Sequence, residues 1–263
     1  MKGVADLFNS KLTITYIANS GVAVTGRKKQ ILVDGLHKSE AGFYFSTDPQ
    51  TAEDIILSKE PYNLMDILLV THDHSDHFNA TYCVEALKKN RHLQLVGPQS
   101  VADKVKSCPE YDDELASQIK SIEASPVKPI VLFLKDIDIE IFCITHDGAS
   151  ADTTVNNAYL VRMDRHNMLF LGDAKADDAV FESAGVYGKK VEVLFVPFTF
   201  IGLSSGREII KKIAPKKLVV VHLPDESKDA NKLTEKTKIA HTKYFAEFPP
   251  TTMFDTIGQS FQI

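Results

Sequence analysis

Along the first third of the chain, apolar and polar positions alternate with the two-residue period of half-buried strands. Leu12 to Ile17 and Val22 to Thr25 carry this β-branched alternation, Gly26-Arg27-Lys28-Lys29 makes a turn, and Gln30 to Asp34 is a further strand. The chain therefore opens as a β-meander. Leu36 to Leu64 has no clear period, apart from a short helical stretch at Thr51 to Leu57. Ile67 to Val70 is a continuous apolar run of buried-strand type, and Asn79 stands where it can cap a helix through Tyr82, Val84, Ala86 and Leu87. Strand Leu93 to Gly97 and a helix around Val101 to Val105 follow, giving the β-α alternation of a layered α/β fold. Pro109 to Ile122 is acidic and reads as moderately helical. Further strands are predicted at Ile130 to Leu134, Ile137 to Ile144, Ala158 to Met163 and Met168 to Leu171, with Asp164-Arg165-His166-Asn167 as a hairpin turn that exposes His166. Val191 to Val196 leads through Pro197 to Gly206 into a helix at Arg207 to Ala214; strand Lys217 to Val221 and a helix from about Ala230 to Phe245 close the second half. No repeat or low-complexity linker interrupts this order, so one domain over residues 1–263 is expected.

The chemistry is concentrated at the end of the central apolar run. Asp66-Ile67-Leu68-Leu69-Val70-Thr71-His72-Asp73-His74-Ser75-Asp76-His77 places three histidines and two aspartates in six consecutive positions, on a strand-to-helix turn. Side chains two apart on an extended segment point the same way, so His72 and His74 can face one ion together. Asp76 and His77 follow as the chain turns and can reach a second ion. Imidazole with carboxylate suits zinc, manganese or iron. A solvated histidine-rich loop is the bland alternative, but here every ligand-capable position of H-x-H-x-D-H is used.

Composition narrows the partners. With 263 residues and 44% hydrophobic content the chain can bury a large core, and a formal charge of −5 offers no broad basic surface for a phosphate backbone, so no nucleic-acid partner is expected. Cys83, Cys108 and Cys143 are widely spaced without a C-x-x-C pair, and read as packing residues rather than a disulfide framework. Met1 to Ser10 lacks a sustained apolar stretch and no 18-residue apolar span occurs, so the expectation is a soluble, non-exported, cytoplasmic protein without a membrane partner.

The motif His72-x-His74-x-Asp76-His77 resembles the signature of the metallo-β-lactamase superfamily of binuclear metal hydrolases. That resemblance implies a four-layer αββα sandwich and three further ligands, each after an apolar run. They are His146 in Ile144-Thr145-His146-Asp147-Gly148, Asp173 in Phe170-Leu171-Gly172-Asp173, and His222 in Val219-Val220-Val221-His222. It further implies that His72, His74 and His146 hold one divalent ion and Asp76, His77 and His222 another, with Asp173 bridging. Zinc is the first expectation for the pair, with manganese or iron as alternatives. A metal-bridging hydroxide would be the nucleophile and Asp76 the catalytic residue that orients it and takes up its proton.

An aspartate at 173, where many β-lactamases have cysteine, is more similar to the lactonase, glyoxalase II and phosphodiesterase branches. His74, where the diiron flavoproteins carry glutamate, favours hydrolysis, and the short insertion-free chain is similar to the ascorbate-6-phosphate lactonase-like group. The function implied is hydrolysis of an ester, lactone or phosphoester in a small-molecule substrate, anionic ones among the candidates. Two alternatives stand beside it: a mononuclear iron thiol oxygenase using His72, His146 and Asp173, and a non-catalytic metal-binding module. Around this set, Asp34 is read either as a support of the motif loop or as a turn residue, and His37, Phe43 or Tyr44, Phe198 and Phe200 as candidate substrate contacts. Ser205-x-x-Glu208 fits a capping box, and Arg207 beside that helix start is a candidate contact for a phosphate or carboxylate.

Overall fold

Two seven-stranded sheets face each other in the computed structural model, which describes residues 11–122, 124–148 and 153–263. The first runs, in spatial order, β14 (Ser260–Gln262), β1 (Thr13–Ala18), β2 (Gly21–Thr25), β3 (Gln30–Val33), β4 (Met65–Leu69), β5 (Gln94–Gly97) and β6 (Ile119–Ser121). The second runs β13 (Thr251–Met253), β12 (Lys217–Val221), β11 (Val193–Pro197), β10 (His166–Phe170), β9 (Val155–Met163), β8 (Ile137–Thr145) and β7 (Ile130–Leu134). Strands β3 to β6 are parallel, as are β10 to β13, while the meander strands pair antiparallel.

The alternation along each strand decides which layer a side chain joins. Ile14, Tyr16, Val24, Ile31, Ile67 and Leu69 point between the sheets and meet Ile139, Ile141, Tyr159, Phe170, Phe195 and Val219. Their neighbours one position along, Leu32, Leu68 and Leu95, instead pack beneath α1 (Pro49–Ile56), α2 (Ala80–Lys89) and α3 (Gln99–Lys106). On the far side, Phe142, Leu160, Leu194 and Val220 pack beneath α4 (Asp178–Ser183), α5 (Thr199–Gly202) and α6 (Ser204–Ile213). Helix α7 (Leu233–Lys243) follows β12. The result is the expected αββα layering, and strands covered on both faces explain why Ile67 to Val70 is continuously apolar. Each such Leu, Ile or Phe contributes about 1.5–3 kcal/mol on burial, which fixes the strand ends that carry the polar residues. No helix among the described residues is long and apolar enough to cross a membrane, and the three cysteines are free.

The departures from the sequence reading have local causes. The acidic segment 109–122 holds a 3-10 turn, Asp113–Gln118, and then β6. Gln118 is buried there, its amide donating to the carbonyls of Leu87, Asn90 and Leu93. Strands β6, β13 and β14 each have three residues, too few to show a period. Strand β9 begins at Val155, ahead of its apolar run, because Asn156 and Asn157 are buried. His166 opens β10 half-buried, with Nδ1 3.0 Å from Glu192 Oε2. The segment 199–213 is helical almost throughout, so Ser205 lies inside α6; Leu203 takes the N-cap place without a side-chain bond, and the capping box does not form.

Candidate metal centre

The motif loop leaves the end of β4 and is held from below by Asp34, which follows β3 with φ 46°. The left-handed backbone turns its carboxylate under the loop, where Oδ1 accepts from Thr71 N at 2.8 Å and Oδ2 from the Thr71 hydroxyl at 2.6 Å. Because Thr71 Oγ1 spends its only proton on Asp34, it can only accept from His72 Nδ1, 3.0 Å away, which leaves the His72 Nε2 lone pair facing inward. His77 is set likewise: Nδ1 donates to Asp34 Oδ2 at 2.9 Å. One buried carboxylate thus orients two imidazoles. The opposite sheet pins the start of the loop, since the Tyr159 hydroxyl donates to Val70 O at 2.6 Å and Asn157 N to Thr71 O at 2.9 Å. Asn79 ends the loop by accepting from Tyr82 N at 3.0 Å, as an N-cap of α2.

Three other strand ends supply the rest. His146 follows β8 and lies in a bridge with Ala174; Asp147 N donates to Asp173 O at 2.8 Å, so the two ligand segments are laced together. Asn156 accepts from Asp173 N at 3.1 Å and donates to Leu171 O at 3.0 Å. Gly172 has φ +58°, and a Cβ there would strike the Asn156 amide oxygen and, at 2.8 Å, the Thr71 side chain. Only glycine lets the chain turn there and deliver Asp173. His222 follows β12 with φ 62°, and its N donates to Asn19 O at 3.0 Å. Asn19, itself at φ 52°, donates through Nδ2 to Asp76 O at 2.8 Å and Asp76 Oδ2 at 3.2 Å. Non-glycine residues in the left-handed region cost about 1 kcal/mol or more each, and here three of them aim site groups.

All seven expected ligand residues converge. Asp173 Oδ2 lies 3.2 Å from His222 Nε2, 3.3 Å from His77 Nε2 and 3.8 Å from both His72 Nε2 and His146 Nε2. Asp76 Oδ2 is 3.1 Å from His222 Nε2 and 3.8 Å from His77 Nε2. The groups able to hold an ion are His72, His74 and His146; His72, His77 and Asp173; and Asp76, His77 and His222, with the ligand atoms of each within 4.8 Å of one another. Nε2 of His72 and Oδ1 of Asp173 are buried with no hydrogen-bond partner among the described residues, while Nε2 of His77 and His222 face carboxylate oxygens at 3.1–3.3 Å. Buried polar atoms so arranged, on imidazoles and carboxylates around one oxygen, fit divalent cations.

The electrostatics agree with that fit. Burial, and then the charge of His77, hold His72 well below the ordinary imidazole range. Burial also opposes charge on His77 and His222, but Asp173 outweighs it, lifting His77 well above the ordinary value and His222 to about 9. Burial would raise Asp76 and Asp173, yet His222 and His77 hold both carboxyls below the usual range.

The candidate substrate contacts separate clearly. His37 is buried with Nε2 3.2 Å from Ala18 O, and burial lowers it to about 4; it is a packing residue. Phe200 is fully buried in the outer core. Arg207 corrects the anion-contact expectation: Nη1 donates to Gly202 O at 2.9 Å, Nε to Glu247 Oε2 at 3.3 Å, and the guanidinium lies 3.8 Å from the Tyr244 ring centre. It holds the turn between α5 and α6. Tyr44 stands edge-on to His222 at 4.2 Å between ring centroids, with Phe198 at 6.4 Å. Asn19, Thr71 and Asn156 were not singled out from the sequence. The signals available were slight: an Asn in a turn, a Thr before the first motif histidine, and an Asn pair ahead of a strand.

Residues 30–226 match the family described as beta-lactamase superfamily domain. The chain belongs to the beta-lactamase superfamily. Among solved structures of this superfamily fold, it is similar to a protein from Parabacteroides distasonis provisionally described as a metal-dependent hydrolase, with 15% identity, 94% of each chain covered and a TM-score of 0.64. A metallo hydrolase from the hyperthermophilic archaeon Ignicoccus hospitalis is similar at 15% identity, covering 96% of this chain and 98% of that one, TM-score 0.61. A diiron β-hydroxylase from Streptomyces venezuelae is similar at 12% identity and a TM-score of 0.62, covering 97% of this chain and 54% of that chain. At these identities the likeness is one of superfamily fold. No curated protein matches the sequence.

Proposed function

We propose that the chain is a binuclear metal-dependent hydrolase of a small-molecule ester, lactone or phosphoester. The observation that carries this reading is the convergence of four imidazoles on Asp173 Oδ2. In this reading His72, His74 and His146 hold one divalent ion, Asp76, His77 and His222 the other, and Asp173 is shared. Zinc is the favoured metal, with manganese and iron as alternatives. So held, the ions supply Lewis acidity and bring the ionisation of water into the neutral range. The protein's own part is orientation and proton handling. Asp34 and Thr71 fix the imidazole tautomers. In this reading Asp76, which Asn19 holds, orients the attacking water and takes up its proton. A mononuclear site would use three ligands, so the additional gathering of Asp76, His77 and His222 supports two ions over the iron oxygenase reading. Aspartate at 173 and histidine at 74 support the lactonase and phosphodiesterase side of the superfamily, and the ascorbate-6-phosphate lactonase-like group is the subgroup proposed.

The test is a panel of esters, lactones and phosphodiesters assayed with metal-loaded protein, and His74→Ala as control. Turnover of one class, lost together with metal in His74→Ala, is expected. Full loading without turnover of any class would sink the catalytic reading.

Metal uptake should also be pH-dependent with a definite sign. Coordination requires unprotonated imidazoles, whereas His77 and His222 are raised in the metal-free protein, the latter to about 9. Apparent affinity should therefore rise with pH through that value and fall as pH drops. Loading at pH 7 should release roughly two protons per chain, which calorimetry in buffers of different ionisation enthalpy reads directly.

A further inference from the structure

Four strands edge the two sheets, and three of them, β6, β13 and β14, have only three residues each. So short an edge offers another chain little to pair with. The fourth, β7, is five apolar residues, Ile130 to Leu134, with no charge, proline or glycine to blunt it. Leu132 and Leu134 pack against the inner core, whereas Val131 and Phe133 stand 64% and 66% exposed on the outer face. The turn into β8 tells which backbone groups are free. Leu134 pairs with Ile137 across Lys135 and Asp136, both left-handed at φ 53° and 55°, which makes a two-residue type I′ turn. The pair flanking such a turn exchanges two hydrogen bonds, and bonded and non-bonded pairs alternate along an antiparallel ladder. Ile130, Leu132 and Leu134 therefore bond to β8, and the N–H and C=O of Val131 and Phe133 point away from it, off the sheet.

We propose that β7 is a dimer interface, occupied by β7 of a second copy of this chain in antiparallel pairing about a twofold axis at Leu132. The sequence is self-complementary about that point. Val131 falls opposite Phe133 of the partner subunit and Phe133 opposite its Val131, so each pair exchanges two hydrogen bonds through the free groups and brings apolar side chains together on the outer face. Lys128 falls opposite the partner's Asp136, whose side chain is 82% exposed with Lys29 at 3.1 Å. Neighbouring registers are poorer. An axis at Val131 would set Pro129, which has no N–H, against Phe133, and one at Phe133 would set Val131 against the turn at Lys135. Five residues a side fall short of the about 800 Å² per partner of a standard interface, so the dimer should be weak, with a Kd of about 10–100 µM.

Sedimentation velocity on the metal-loaded full chain, from about 1 to about 300 µM, tests this. A monomer that becomes a dimer across that range is expected. Val131→Lys/Phe133→Lys sets like charges opposite each other in both pairs and should raise Kd at least about tenfold, whereas Val131→Lys/Phe133→Glu sets lysine against glutamate in both and should stay within about threefold of wild type. Val131→Pro removes an N–H on the free edge without touching the β8 ladder, and should also raise Kd at least about tenfold. Far-ultraviolet circular dichroism checks that each variant folds; the two charge variants alter only exposed side chains and decide the matter should the proline variant fold poorly. A monomer at every concentration, a dimer indifferent to these variants, or equal weakening by both charge variants would overturn the interface. So would slow hydrogen exchange at the Val131 and Phe133 amides in a monomer, which would put another segment of the same chain on that edge.

Discussion

Asp173→Ala is expected to take bound metal from about two ions per chain to fewer than one, and hydrolysis down by about 10³-fold or more, equivalent to about 4 kcal/mol of transition-state stabilisation. The size follows from geometry, because Asp173 Oδ2 is the atom nearest the centre of the cluster, 3.2–3.8 Å from four imidazole nitrogens. Its removal deletes the carboxylate proposed to be shared and leaves His77 and His222, whose raised basicity depends on it, facing each other with their ring centroids 5.1 Å apart. The fold should survive, since Asn156 holds this turn through backbone groups of Leu171 and residue 173. Elemental analysis beside far-ultraviolet circular dichroism separates the two effects. A variant that keeps two ions would show that Asp173 is not shared.

Asp34→Ala is expected to act through others, weakening metal binding about 10- to 100-fold and destabilising the fold by about 3 kcal/mol or more. The carboxylate is buried and accepts from Thr71 N, the Thr71 hydroxyl and His77 Nδ1. Alanine would leave Thr71 N and His77 Nδ1 buried and unpaired, and would free Thr71 Oγ1 to donate to His72 Nδ1, reversing the tautomer that presents Nε2. Asp34→Asn keeps an acceptor for Thr71 but puts an amide opposite His77, so it should recover much of the stability and less of the metal affinity. Denaturant unfolding read against metal titration distinguishes them. Equal metal affinity in both variants would argue against an orienting role.

The seven candidate ligands were legible because each stands just after an apolar run, where burial fixes the strand and the polar residue must follow it out. Asp34 was half legible: Leu32-Val33-Asp34-Gly35 marks a strand end, but not that its carboxylate turns inward rather than closing a turn. Asn19, Thr71 and Asn156 were not, since their roles depend on contacts with residues 57, 37 and 15 positions away in sequence. Arg207 misled because a cation beside a helix start resembles an anion site, and only the three-dimensional placement of Glu247, Tyr244 and the α5 carbonyls shows it already occupied. The β-α alternation of a layered α/β fold was legible in the strand and helix patterning, whereas the four-layer sandwich came only with the resemblance of the histidine motif. The three-residue edge strands were not legible, being shorter than any period can reveal.

The decisive quantity is the metal content of wild-type protein purified without chelators and reloaded with zinc, manganese or iron under oxygen-free conditions. About two ions per chain, falling to one or fewer when His222 is replaced by alanine, is the result expected of two ions sharing Asp173. Saturation at a single ion per chain, or stoichiometry indifferent to His222, would contradict it.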